Sequence, residues 1–206
     1  FVSKAGKKVG DTYIIIVIDI SASTGHFFGD YVKADIEKAI AIDMIQNLSL
    51  VSKVGIAAFN QRGYKVADIK TLLEHGDHKE TIAALRYSGG TYISSGLLLA
   101  MQMLEGKGGS KNIILISDGM NQDEEETRTV VASAYSKGIR IYTIGVGDDT
   151  NNENMIELSS LSGGTYFQVG ETDKVRVLFG NNEKIGDKRV FPLVVLDSNH
   201  FITEDL

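Results

Sequence analysis

Three oxygen-bearing side chains stand directly after an apolar stretch that is typical of a buried strand. The stretch is Tyr-Ile-Ile-Ile-Val-Ile at residues 13–18, and it is followed by Asp19, Ser21 and Ser23. In an extended segment the side chains of alternate residues point the same way. One carboxylate and two hydroxyls are therefore expected to converge at the end of the strand.

Two further oxygen donors occupy comparable places later in the chain. Thr91 follows a pair of glycines, and Asp118 follows the apolar strand predicted at residues 112–116. In open α/β sheets, ligands bind outside the carboxyl ends of the strands where the winding reverses, so strand ends on either side of that point face each other. Hydroxyl and carboxylate oxygens with few formal charges suit a small hard cation. We expect one divalent ion, Mg²⁺ first and Mn²⁺ or Ca²⁺ as alternatives, at a site that comprises Asp19, Ser21, Ser23, Thr91 and Asp118.

The elements that must position these residues alternate between strand and helix. Apolar runs typical of strands occur at residues 13–18, 54–59, 112–116, 140–144 and 165–169, and helical periodicity separates most of them. A turn at 60–63 and a more alternating run at 64–69 predict an antiparallel edge hairpin. The pattern predicts an α/β fold, namely a Rossmann-like, doubly wound, mostly parallel six-stranded sheet with one antiparallel edge strand and helices on both faces.

The chain is predicted to hold one main domain. We assign residues 1–11 to an N-terminal extension, 12–180 to the domain, and 181–206 to a linker and strand that could begin a truncated following domain. A last helix of the domain is predicted at 172–179.

Composition excludes several classes of function. The formal net charge is −6 and no cluster of lysine or arginine occurs, which argues against binding to a nucleic-acid backbone. The chain has no cysteine, so disulfides and cysteine-bound zinc are excluded. The longest apolar run is far shorter than the ~20 residues of a membrane-spanning helix. We expect a chain without a transmembrane segment that is monomeric in isolation.

Three short motifs resemble the metal-ion-dependent adhesion site of von Willebrand factor A and integrin I domains. The resemblance extends over residues 12–179, and all five positions of the family motif are filled. The motifs are Asp19-Ile20-Ser21-Ala22-Ser23, Thr91 after Gly89-Gly90, and Ser117-Asp118-Gly119.

Membership of this family implies a binding or adhesion module and not an enzyme. The resemblance implies that the serines hold the metal directly, that at least one carboxylate acts through water, and that an acidic side chain of a partner protein completes the metal's shell. The general pattern is similar to that of microbial members, which favours the cell surface or secretion, with the cytoplasm as the alternative.

The loop after the first motif departs from the family pattern. Thr24 stands where the family commonly has an apolar methionine or isoleucine, and residues 25–30 lengthen the loop. Phe27 and Phe28 form an apolar contact patch if they are exposed, whereas the alternative is that they pack under the loop.

Two other functions compete with metal-dependent binding. A Mg²⁺-dependent phosphotransferase of the haloacid dehalogenase kind also places an aspartate at the end of its first strand, but it typically needs a second aspartate where this chain has Ser21. The other alternative is a structural surface domain that its metal only stiffens. The acidic residues at 123–126 are expected in a helix first turn, and Asp148 and Asp149 are expected to begin a loop and cap the next helix.

Overall fold

The computed structural model describes residues 11–75 and 78–169, together with the backbone of Lys174–Leu178 and Val190–Val194. Ten strands occur in these parts of the chain. They are β1 (Thr12–Asp19), β2 (Phe27–Phe28), β3 (Tyr31–Val32), β4 (Lys53–Phe59), β5 (Gly63–Thr71), β6 (Ser110–Ser117), β7 (Ile139–Val146), β8 (Tyr166–Val169), β9 (Lys174–Leu178) and β10 (Val190–Val194).

Six of these strands form one sheet in the order β5-β4-β1-β6-β7-β8. All neighbours in the sheet are parallel except β4 and β5, which form the antiparallel edge. This is the predicted doubly wound, Rossmann-like sheet. After β1 the chain builds β4 on one side and later β6 on the other, so the winding reverses beside β1. The crevice expected to receive a ligand therefore lies at the carboxyl ends of β1 and β6.

Helices cover both faces of the sheet, as the sequence predicted. They are α1 (Lys33–Asn47), α2 (Leu72–His75), α3 (Lys79–Ala83), α4 (Ile93–Met103), α5 (Glu124–Ser136) and α6 (Asn152–Leu161), and a 3₁₀ turn spans Ala22–Gly25. Side chains of α1 and α3 pack in one hydrophobic cluster, and side chains of α4, α5 and α6 pack in the other.

Strand β1 contributes to both clusters, which explains its unbroken apolar sequence. Ile14, Ile16 and Ile18 lie in the cluster under α1. Tyr13, Ile15 and Val17 lie in the opposite one. Because alternate residues of a strand face opposite sides, a strand buried on both faces must be apolar at every position. Burial on both faces fixes the register of β1 and hence the place of the polar residues that follow it.

One expectation about local secondary structure was wrong. The helix predicted at 172–179 is replaced by β9, which pairs in antiparallel register with β10. Its Lys-Val-Arg-Val sequence alternates with the two-residue period of a strand, which explains the difference. Apart from β10, the predicted linker and strand at 181–206 lie outside the described residues.

Across the described part of the chain, no helix combines the length and the hydropathy that crossing a bilayer requires.

Candidate functional site

Asp19 ends β1 beside the end of β6 and is almost completely buried. The backbone N–H of Ser21 donates to its Oδ1 at 2.8 Å, and the hydroxyl of Ser117 donates to its Oδ2 at 2.6 Å. Two short hydrogen bonds to one carboxylate fix its orientation. Ser117, which the sequence analysis did not single out as a functional residue, therefore positions the first acidic side chain of the candidate site.

Three hydroxyl groups form a chain next to Asp19. The Oγ atoms of Ser21 and Ser23 are 2.9 Å apart, and Ser23 Oγ is 3.4 Å from Thr91 Oγ1. Ser23 lies in the 3₁₀ turn, where Thr24 is fully buried and donates its hydroxyl to the carbonyl of Ser21 at 2.8 Å. The threonine that departs from the family pattern thus satisfies a buried carbonyl and leaves the neighbouring serines in place.

Backbone hydrogen bonds bring the loop of Thr91 against the loop of the serines. Ala22 N–H donates to Gly89 O at 2.9 Å, and Ser88 N–H donates to Ile20 O at 2.8 Å. Gly89 has a φ of +80°, which a residue with a Cβ rarely adopts. Gly89 therefore permits the close approach of the two loops.

The loop after β6 joins the same assembly through Gln122. Its backbone N–H donates to Thr91 O at 2.9 Å, and its side-chain Oε1 accepts from Thr91 N–H at 3.3 Å. Three segments that are distant in sequence are therefore held together by their own hydrogen bonds.

Asp118 follows β6 and has no solvent exposure. Its Oδ1 accepts from Met120 N–H at 3.1 Å, whereas its buried Oδ2 accepts no hydrogen bond. A carboxylate oxygen that is buried without a donor is costly unless a cation lies nearby. The structure thus leaves one acidic oxygen of the predicted set without a hydrogen-bond partner.

Helix α1 adds two charged side chains that the sequence analysis missed. Lys33 is 2% exposed and its Nζ lies 3.6 Å from Asp118 Oδ2, while Glu37 is fully buried and neither of its carboxylate oxygens accepts a hydrogen bond. Glu37 and Lys38 stand between the apolar positions of this helix in the sequence, yet both are buried. Lys33, Glu37 and the buried Ala41 are spaced four apart and therefore lie on one face of the helix, but this spacing alone does not show that the charged residues are buried.

Burial and mutual repulsion raise the pKa values of two of these acids. The pKa of Asp19 rises to about 7, chiefly because burial disfavours its charged form; the hydrogen bonds from Ser117 and Ser21 oppose this rise, and the charge of Asp118 adds to it. The pKa of Glu37 is well above its ordinary value because of burial and then because of Asp19 and Asp118, and Lys33 acts in the opposite direction.

The raised pKa values show that the site holds more buried acidic groups than the nearby positive charge can keep ionised. Asp19, Asp118 and Glu37 are three buried carboxyl groups, and Lys33 is the buried lysine that contacts one of them. The other buried lysine of the helix, Lys38, pairs with the exposed Asp35 at 3.6 Å. A cation beside Asp118 would offset this imbalance, so the residues present fit a metal site in charge as well as in donor type.

Exposed apolar residues follow the site residues closely in the sequence, and we call these residues the rim. Phe27 is 74% exposed and Met120 is 48% exposed, while Phe28 is half-buried. The side chain of Phe27 is therefore exposed and does not pack under the loop.

Of the two expectations for acidic residues outside the predicted ligand set, one was wrong and one is confirmed. Asn151 and not an aspartate caps α6, through a hydrogen bond from Asn154 N–H, and Asp149 instead forms an ion pair with Lys33 at 2.5 Å. The first turn of α5 does contain the acidic run, and Asp123 at its start accepts hydrogen bonds from Ser94 and Thr127.

Among the residues that the structure describes, no three His, Asp or Glu side chains lie close enough to hold a metal on their own. The candidate site differs from such clusters in composition, since hydroxyls supply three of the five predicted ligands.

Known proteins resemble this chain in sequence and in fold. Residues 14–181 match the sequence model of the von Willebrand factor type A domain. An uncharacterised protein of Synechocystis sp. is 26% identical over 159 residues, which are 72% of this chain and 37% of that protein, so the chain matches well under half of the relative's length.

Two solved structures share the fold. BatB, a conserved hypothetical protein from Bacteroides thetaiotaomicron, has a TM-score of 0.68 at 20% identity, covering 77% of this chain and 90% of that one. Proximal thread matrix protein 1 from the mussel byssus, solved with a zinc-occupied MIDAS motif, has a TM-score of 0.65 at 21% identity, covering 78% of this chain and 42% of that one. Since the family match covers most of the sequence, the chain belongs to the von Willebrand factor type A domain family.

Proposed function

We propose that this domain binds a partner protein through one divalent cation. Asp19, Ser21, Ser23, Thr91 and Asp118 hold the ion, directly or through water. The observation that carries the proposal is the convergence of three loops on a chain of hydroxyls, next to a buried Asp118 oxygen that accepts no hydrogen bond. The ion would act as a Lewis acid toward an oxygen of the partner.

The donor chemistry favours a hard ion and an acidic partner. Two carboxylates and three hydroxyls suit Mg²⁺, with Mn²⁺ and Ca²⁺ as alternatives, because such ions prefer oxygen ligands. With so few formal charges among its own donors, the ion has charge left to attract a carboxylate from a partner protein. Phe27 and Met120 at the rim offer apolar contacts beside that carboxylate. We place this interaction at the cell surface or outside the cell, with the cytoplasm as the alternative.

The arrangement favours binding over phosphoryl transfer. A phosphotransferase of the haloacid dehalogenase kind would need an acid two residues after Asp19, and that residue is Ser21, whose hydroxyl lies 2.9 Å from the hydroxyl of Ser23. We expect no Mg²⁺-dependent phosphatase activity on a generic phosphate ester. Such activity, lost on Asp19→Ala, would favour the enzyme instead.

Metal binding is tested by titrating Mn²⁺ into the protein in a calorimeter. We expect one ion per chain, and we expect Asp19→Ala to weaken binding at least about 100-fold, since it removes a charged donor that hydroxyls cannot replace. Asp11→Ala is the matched control, because Asp11 is an exposed aspartate next to the other end of β1. Circular dichroism checks that each variant is folded. Equal binding by wild type and Asp19→Ala would contradict the proposed site.

Partner binding is tested by a pull-down from the source extract with Mg²⁺ and again with EDTA. A protein retained with Mg²⁺ is expected to be lost both with EDTA and with Asp19→Ala. A structural domain that its metal only stiffens would retain the same proteins under all three conditions.

A further inference from the structure

Lys33 places a positive charge inside the candidate site. It is the first residue of α1, its side chain is 2% exposed, and its Nζ lies 3.6 Å from Asp118 Oδ2. At that distance the ammonium makes no strong hydrogen bond, but its charge acts directly on the carboxylate. The buried ammonium of Lys33 is thus a singly charged cation that is covalently part of the protein and lies beside Asp118.

The same ammonium has a second partner outside the predicted ligand set. Its distance to Asp149 Oδ1 is 2.5 Å, and Asp149 is 61% exposed. The pKa of Asp149 is lowered, first by its hydrogen bond with Lys33. Lys33 therefore lies between a buried acid that belongs to the site and an exposed acid that does not.

The backbone next to Lys33 is shaped to admit its side chain. Gly147 has a φ of +110°, and a Cβ at this residue would lie 3.0 Å from Lys33 Cε. A side chain at residue 147 would thus require a rarely adopted backbone conformation and would crowd the lysine stem. The path of Lys33 to Asp118 and Asp149 depends on this glycine.

We propose that Lys33 is an internal competitor of the divalent ion, an inference that rests on the proposed function. Without metal, its ammonium offsets part of the charge of Asp118 and so helps to keep the acidic loops together. When the ion binds, it repels the ammonium, which then pairs with Asp149 alone. Lys33 thereby weakens metal binding, and Asp149 limits that penalty by offering the ammonium another partner.

Replacing the charge of Lys33 tests the first half of this inference. We expect Lys33→Met to tighten Mn²⁺ binding by roughly 10-fold or more, because a repulsive charge is removed from the site. The melting temperature without metal should fall, because buried acids lose their counter-ion. Lys38→Met is the matched control, since it removes the other buried lysine of the same helix. It should change the Mn²⁺ dissociation constant by less than about 2-fold. Lys33→Gln provides a second neutral variant if Lys33→Met does not fold.

A double-mutant cycle with Asp149 tests the second half. Asp149→Asn should weaken Mn²⁺ binding by roughly 3-fold to 10-fold when Lys33 is present, and should have no effect in the Lys33→Met background. If Asp149 merely added negative potential near the ion, its replacement would weaken binding equally in both backgrounds. Because Asp149 is exposed, this variant is informative without any change to the core.

The outcomes separate this inference from the proposed function. If wild type binds Mn²⁺ and Lys33→Met binds it no more tightly, the competitor role is wrong and the metal site stands. If neither protein binds Mn²⁺, both proposals fail. Binding by Lys33→Met alone would support the competitor role in its strongest form and would contradict metal-dependent function of the native domain.

Discussion

A lysine–aspartate ion pair lies near each end of β1, and the two pairs differ in their exposure to solvent. Near the amino end, Lys53 Nζ lies 2.6 Å from Asp11 Oδ2, with the two side chains 31% and 56% exposed. Near the carboxyl end, Lys33 Nζ lies 3.6 Å from Asp118 Oδ2, and the two side chains are 2% and 0% exposed. The nitrogen–oxygen distance is shorter in the exposed pair than in the buried pair. In the buried pair, the Asp118 oxygen accepts no hydrogen bond.

The contrast shows at which end of the sheet buried acidic groups lack a complete set of partners. An exposed pair is hydrated and contributes little to stability, so its short distance has no wider consequence. Buried acids have lost water, and an incomplete set of partners leaves them destabilising. The carboxyl end of the sheet is therefore the end at which a bound cation would change stability most.

The largest expected effect is a dependence on pH that arises at the buried end. The pKa of Asp19 is about 7 in the fold against 3.8 for the ordinary side chain, so the folded state binds the extra proton between these values. The free energy of unfolding of the metal-free protein must then fall as pH rises from about 4 to 7. Glu37, whose pKa is also raised, acts in the same direction.

Asp19→Asn isolates this effect. Relative to wild type, its free energy of unfolding in EDTA should gain roughly 2 to 3 kcal/mol between pH 5 and pH 8. Urea unfolding at the two pH values measures the gain, and Asp11→Asn is the control at the exposed end. A constant difference between wild type and Asp19→Asn at both pH values would mean that Asp19 is not held by a destabilising environment.

A smaller effect is expected from the hydroxyls at the two ends of β6. Ser117→Ala removes the 2.6 Å hydrogen bond to Asp19 and the acceptor for Gly119 N–H. It should cost about 1 to 3 kcal/mol, since buried polar groups lose their partners. Ser110→Ala removes the acceptor of one Asn112 hydrogen bond at the opposite end and should cost less than about 1 kcal/mol. Urea unfolding measures both losses. Equal losses of unfolding free energy in Ser117→Ala and Ser110→Ala would contradict the proposed difference between the two ends of the sheet.

The sequence predicted the sheet and the convergence of its loops because both follow from periodicity and strand ends. The apolar run of β1 indicates that the strand is buried on both faces, and the glycines before Thr91 indicate that two loops approach each other closely. The structure brings the loops of the predicted site residues together, and the binding of a metal by these residues stays a prediction.

Lys33 and Glu37 could not be predicted in the same way. In an amphipathic helix, charged residues are expected to face water, and the apolar positions of α1 were sufficient to define its buried face. Their burial depends on the acids and loops that α1 meets after folding, which local sequence does not encode. Strand β9 was missed for a different reason, because the alternation of Lys, Val, Arg and Val that is typical of a strand extends over few residues.

The smallest expected effect is at the exposed pair. Lys53→Met removes the ion pair with Asp11, and its midpoint of thermal unfolding at physiological salt should be unchanged within error, because an exposed pair is hydrated and screened. Differential scanning fluorimetry of this variant beside Lys33→Met compares the two lysines directly. A larger loss for Lys53→Met than for Lys33→Met would reverse the comparison.

The hydrogen bonds of the site join parts of the chain that are far apart along it. Ser23 meets Thr91 across 68 residues, and Asp19 meets Ser117 across 98. Contacts of such long sequence separation form only after the intervening chain has been ordered, so the cluster cannot assemble before the central strands have paired. Metal binding should consequently occur only when the sheet has folded completely. A protease cut that releases either half of the sheet should abolish metal binding.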